Sequence, residues 1–230
     1  MDMGNAKKKK SHSISSEKLT KGEDVTAIIN CTYGYTAPIG QLNIETHFEE
    51  IIALTGQNGS GKSTVLQTIA GELHPLTGEV LIATNSTRRG DQRYMSPSTP
   101  DGSGLVNLVS GPEFLPDLTL REHLYLIMQA NSIDESSAET LLSPWKITEL
   151  LDYLPGKLSS GQRQRANIAL QLLNDRIILA LDEPERHLDK DWIETLGQEL
   201  VKYSKRSKSV ILATHSPYLT DIATRKIQLK

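Results

Sequence analysis

From residue 25 onward, short apolar runs alternate with longer stretches whose apolar positions recur at helical spacing. That order predicts an α/β fold with a mostly parallel sheet. The strand candidates are residues 25–31, 51–55, 79–82, 177–181, 210–214 and 226–229; helical spacing falls over 62–71, 120–130, 136–142, 161–174 and 191–204. Runs such as Ile51-Ile52-Ala53-Leu54 are aliphatic throughout rather than alternating, as strands covered on both faces are. Residues 85–104, rich in Ser, Thr, Gly, Pro and Asp, predict an exposed loop. No internal repeat is visible.

Residues 1–24 hold the lysine run Lys7 to Lys10 and a Ser/Lys/Glu-rich stretch without apolar periodicity, which reads as a flexible tail. No apolar region follows the lysines, so they do not open a secretory signal, and Lys8 stands where a myristoylation motif wants Ser or Thr. Composition adds further limits. With 25 basic and 28 acidic residues the net charge is −3, so no nucleic-acid partner is expected, and 37% hydrophobic residues suit a soluble globular domain. The longest aliphatic run, residues 177–181, is far short of the roughly 20 residues that cross a bilayer. Cys31 is the only cysteine, which excludes an internal disulfide and a cysteine zinc cluster and fits the cytoplasm.

The strongest chemical signal is Gly56-Gln57-Asn58-Gly59-Ser60-Gly61-Lys62-Ser63, directly after an aliphatic strand candidate and before a helical pattern. This is a G-x-x-x-x-G-K-S phosphate loop in the context it requires. Glycines let the backbone curl so that N–H groups point inward, and the following helix adds its positive dipole end. Lys62 would reach the β- and γ-phosphates and Ser63 would ligate Mg²⁺, with Gly56, Asn58, Gly59, Ser60, Gly61 and Thr64 completing the nucleotide cradle. A second signal is the aliphatic run 177–181 ending in Asp182 and Glu183. Parallel α/β sheets bind ligands beyond the carboxyl ends of their strands, so this pair should emerge beside the phosphate loop. Asp182 then suits Mg²⁺, and Glu183 could accept a proton from an attacking water.

The third signal is Leu158-Ser159-Ser160-Gly161-Gln162, just before a helical stretch that leads into the carboxylate strand. It closely resembles the LSGGQ signature of ATP-binding cassette (ABC) proteins, with Ser160 replacing the first glycine, and the order of loop, signature and carboxylates is that of the family. The resemblance covers about residues 25–230. It implies a P-loop NTPase (RecA-like) core, an N-terminal antiparallel β subdomain and an α-helical signature subdomain at about 111–160. It also implies that Ser159, Ser160, Gly161 and Gln162 serve ATP bound to another protomer, so that two nucleotides are sandwiched in a head-to-tail homodimer or heterodimer. By the same resemblance Asp189 is the D-loop aspartate and His215 the switch histidine that contacts the γ-phosphate. Tyr33 aligns with the adenine-stacking aromatic, with Tyr35 a near competitor. Leu118, Thr119 and Glu122 resemble the start of the helical subdomain that meets a membrane partner.

Three departures from the family pattern stand out. Ser110 occupies the position where a Q-loop glutamine is usual, and Gln92 lies too far upstream to replace it. Glu49 replaces the usual glycine before the phosphate-loop strand, and His187 stands where the D-loop has small residues. The resemblance implies an ATP- and Mg²⁺-dependent ATPase subunit that powers a separate transmembrane permease from the cytoplasmic face of the cell membrane. Two other readings stay open at the sequence level. One is a non-transport ABC ATPase acting on DNA or ribosomes, which residues 213–218 (Ala-Thr-His-Ser-Pro-Tyr) support; the other is an ATP-gated regulator that hydrolyses weakly because of Ser110.

Overall fold

The computed structural model of the chain describes residues 24–84 and 93–230. The tail with Lys7 to Lys10, and Gln92, lie outside the described residues.

Two sheets organise the molecule. The antiparallel sheet has the order β2-β1-β4-β5, built from β1 (Val25–Gly34), β2 (Pro38–His47), β4 (Thr77–Ala83) and β5 (Tyr94–Met95). The parallel sheet has the order β6-β7-β8-β3-β9, built from β3 (Ile51–Thr55), β6 (Val106–Val109), β7 (Ile178–Asp182), β8 (Ser209–Ala213) and β9 (Arg225–Gln228). All four ladders of the second sheet are parallel, as the continuous aliphatic runs predicted. The expectation of an exposed loop over 85–104 is corrected for its described part. Tyr94 and Met95 pair with Ala83 and Ile82, and a short 3-10 helix at Pro100–Gly102, capped by Thr99, buries Gly102.

Side chains of the parallel strands alternate between two cores. Ile52, Leu54, Ile178, Ala180, Ile211 and Ala213 face α1 (Lys62–Ala70) and the antiparallel sheet, joining Val65, Leu66 and Ile69 with Ile29, Val80 and Ile82. The intervening residues Ile51, Leu179, Leu181, Val210 and Leu212 face the helical side. There they meet side chains of α2 (Leu120–Asn131), α3 (Glu135–Leu142), α4 (Ser160–Gln171), α5 (Lys190–Ser204) and α6 (Pro217–Ile222). Thr26 stitches the two sheets together: its buried hydroxyl lies 2.7 Å from Thr46 Oγ1 and 2.8 Å from Ser209 Oγ. Because Leu54 is fully buried between α1 and the sheet, Leu54→Ala is expected to lower unfolding stability by about 2–5 kcal/mol in urea titrations.

The order of the parallel sheet decides where chemistry can occur. β8 lies between β7 and β3, so the chain segments that follow these three strands share one edge. The phosphate loop follows β3, the carboxylates close β7, and His215 follows β8. Ser110 directly follows β6, whose Val109 pairs with Leu181 beside Asp182. The segment between β6 and β7 carries α2, α3, α4 and three 3-10 turns, which form the helical side of the molecule.

Candidate functional site

Residues 56–61 bridge β3 and α1, and Gly61 holds φ at 87°, a left-handed conformation that suits glycine. A Cβ there would also sit 2.7 Å from Ile39 Cγ2 and 2.8 Å from the Tyr33 ring. No side chain caps α1, so its first N–H groups stay available to an anion. Lys62 is almost fully buried and folds back on the loop, donating to Gly56 O at 3.0 Å and Gln57 O at 3.2 Å. The Ser60 hydroxyl is buried without a partner among the described residues.

A cleft of about 460 Å³ opens above this loop, lined by Asn58, Gly59, Gly61, Lys62, Ser63 and Thr64 on one side and Glu183, Arg186 and His215 on the other. The structure thus brings the phosphate loop, one of the two carboxylates and the histidine to one place. The second carboxylate adjoins it: Asp182 lies beside Ser63, close enough for the hydroxyl to favour its charged form. Burial pushes the Asp182 carboxyl up, and the neighbouring Ser63 hydroxyl, Arg186 and Lys62 only partly oppose that push. A hydroxyl beside a carboxylate forms a hard oxygen donor pair, which fits a divalent cation such as Mg²⁺.

Glu183 is held from several directions. Its backbone adopts φ 46°, an uncommon left-handed value for a non-glycine residue, and its N–H donates to Ala213 O at 2.9 Å. Its carboxylate is ion-paired with Arg186 and lies 3.6 Å from His215 Nε2. Sequence reasoning did not single out Arg186 or Glu185, because nothing in their spacing says which way they point from so tight a turn. In the structure Glu185 Oε1 accepts from Thr214 Oγ1 at 2.7 Å, His215 N at 2.7 Å and Ser216 N at 3.1 Å.

The signature residues do not line the cleft of their own chain. Ser159 and Gln162 form a capping box at the start of α4: Ser159 Oγ accepts from Gln162 N, and Gln162 Oε1 accepts from Ser159 N. The N–H groups of Ser160 and Gly161 have no partner among the described residues. Behind this tip, Gly161 lies so close to the His187 carbonyl that a Cβ would meet its oxygen at 2.9 Å, and Gln164 Nε2 donates to Pro184 O at 2.9 Å. Asp189 caps α5 by accepting from Trp192 N at 3.0 Å. Ser110 is exposed and is not among the residues lining the cleft. Glu49 and His187, the two departures from small residues, both adopt left-handed backbone, φ 63° and 66°, where glycine is the unstrained choice.

Tyr33 requires a correction. Its ring is 2% exposed, packed among β-strand side chains and under the phosphate loop against Gly61 and Gly40, so it offers no open face to a base. Tyr35, just past the end of β1, is 61% exposed and donates to Gln67 Oε1 of α1 at 3.1 Å.

Residues 39–186 match the family model described as ABC transporter. An ABC transporter ATP-binding protein of Mycobacterium tuberculosis is 32% identical over 186 residues, covering 79% of this chain and 74% of that one. A petrobactin import ATP-binding protein of Bacillus anthracis is 30% identical, covering 83% of this chain and 71% of that one. Among solved structures, a dimeric ATP-binding cassette in a post-hydrolysis state with ADP and phosphate aligns at a TM-score of 0.70 and 26% identity, covering 89% of this chain and 94% of that one.

Proposed function

The chain belongs to the ABC transporter family and is an ATP-binding subunit with ATPase activity, and we propose that turnover takes place in the cleft between the phosphate loop and the ends of β7 and β8. The observation that carries this assignment is the convergence of Lys62, the Ser63–Asp182 pair, Glu183 and His215 on one edge of the parallel sheet.

In this reading the N–H groups of residues 56–61 and the start of α1 cradle the phosphates. Lys62 leaves the carbonyls of Gly56 and Gln57 and turns its ammonium to the β- and γ-phosphates. Ser63 and Asp182 would hold Mg²⁺, which would supply positive charge to neutralise the phosphates. Glu183 orients the attacking water and takes its proton, and His215 donates to the γ-phosphate. Asp189 belongs to the segment that meets the second protomer. The tips formed by Ser159, Ser160 and Gly161 complete the partner's site, so two copies, or this chain and a related subunit, close on two ATP molecules. Hydrolysis removes the bridging phosphate and lets the pair open.

The base is placed on Tyr35 rather than Tyr33. Tyr35→Ala is expected to raise the KM for ATP about tenfold or more with little change in kcat, since base–aromatic stacking is worth about 1–3 kcal/mol. Tyr33→Ala should instead cost about 3–5 kcal/mol of folding stability. A steady-state kinetic comparison alongside urea unfolding separates the two.

No helix among the described residues is long and apolar enough to cross a membrane. We propose that the chain works at the cytoplasmic face, docked on a separate permease through the helical side near Ser110. The relatives differ in direction: the B. anthracis protein is named for petrobactin import, and a 28% identical Shewanella oneidensis protein for cytochrome c biogenesis export. Affinity purification from solubilised membranes should recover a polytopic membrane protein with the chain. Salt-sensitive binding to DNA or ribosomes, without such a partner, would count against the transport role.

A further inference from the structure

The backbone of His215 is hydrogen-bonded to the side chain of Glu185. One oxygen of its carboxylate receives three hydrogen bonds from consecutive residues after β8: the Thr214 hydroxyl at 2.7 Å, the His215 N–H at 2.7 Å and the Ser216 N–H at 3.1 Å. Thr214 is itself nearly fully buried, and its Oγ1 also accepts from Ser216 N at 3.0 Å, which closes a compact network. The second oxygen, Oε2, is buried with no partner among the described residues, so the carboxylate's hydrogen bonding is committed to this one task. Glu185 lies two residues beyond Glu183, whose own N–H donates to Ala213 O at 2.9 Å. Hydrogen bonds running in opposite directions therefore bind the segment after β7 to the end of β8 and the residues that follow it.

We propose that Glu185 is a positioning residue for ATP hydrolysis, which sets the place of the His215 imidazole opposite Glu183 and the phosphate loop by holding the backbone of residues 214–216. The inference rests on the assignment of His215 to the γ-phosphate. It needs no contact between Glu185 and nucleotide, and Glu185 does not line the cleft. An imidazole displaced by about 1 Å loses alignment with a phosphoryl group in transfer, and such a displacement can cost about 100-fold in rate.

The test is a double-mutant cycle on purified full-length protein, with phosphate release measured over a range of ATP concentrations and thermal melting recorded for each variant. Glu185→Ala is expected to lower kcat about 10- to 100-fold while the KM for ATP changes little. Glu185→Gln keeps an oxygen acceptor for the three donors and should recover most of the lost kcat. His215→Ala should be impaired on its own, and adding Glu185→Ala to it should lower kcat little further, because the function of Glu185 is exercised through His215. A purely structural role would lower the melting temperature and would multiply with His215→Ala rather than merge with it. An impaired His215→Ala beside a fully active Glu185→Ala, or effects that multiply, would overturn the inference alone. A fully active His215→Ala would overturn it together with the assignment of His215.

Discussion

Glu183→Gln is expected to reduce ATP turnover by about 100- to 10,000-fold, the range that a positioned general base contributes, while ATP still binds. The amide keeps the size of the side chain and can still accept from Arg186, but it cannot take a proton from water. In the structure the carboxylate is oriented by Arg186 and lies 3.6 Å from His215, so the substitution changes proton affinity more than shape. With hydrolysis blocked and the sandwich intact, the protein should accumulate as an ATP-bound dimer. Phosphate release and size-exclusion chromatography with ATP would show both effects. Wild-type turnover in this variant would remove Glu183 from the mechanism, and a variant that stays monomeric with saturating ATP would remove the sandwich.

The second large effect is at the phosphate loop. Lys62→Ala should lower ATP affinity at least about 100-fold, since a buried ammonium paired with phosphate oxygens makes charge-assisted hydrogen bonds of roughly 1.5–3 kcal/mol each. The lysine is 6% exposed and holds two loop carbonyls, so its removal also relaxes the loop. Lys62→Met, which keeps most of the bulk, serves as the companion variant. Fluorescent-nucleotide titration should find both variants weak. Near-normal affinity in Lys62→Met would transfer the binding energy to the backbone N–H groups and the start of α1.

Much of this arrangement was legible in the sequence because the parallel strands are buried on both faces and therefore spell continuous aliphatic runs. The motifs followed from the same fact, since β3 and β7 end at residues 55 and 182, where the phosphate loop and the carboxylates begin. Strand β2 was not read as such: Pro38 and Gly40 interrupt it, and its exposed residues alternate with Leu42, Ile44 and Thr46. β6 has only four residues and α6 only six, too few for a period to show. The contrast between Tyr33 and Tyr35 is not visible in the sequence, because only the structure shows that β1 runs to Gly34, which keeps Tyr33 in the sheet and leaves Tyr35 exposed. Glu185 was invisible for a different reason. Its role depends on the left-handed turn at Glu183, a backbone property that no residue pattern announces.

The contacts behind the α4 tip have one more consequence. Gln164 donates to the carbonyl of Pro184, and Gly161 abuts that of His187, so the tip packs directly on the turn that follows β7 in the same chain. In a head-to-tail pair, occupancy of one site would then be transmitted across the interface to the other. The velocity of ATP consumption should rise sigmoidally with ATP, and Gln164→Ala should flatten that curve toward a hyperbola.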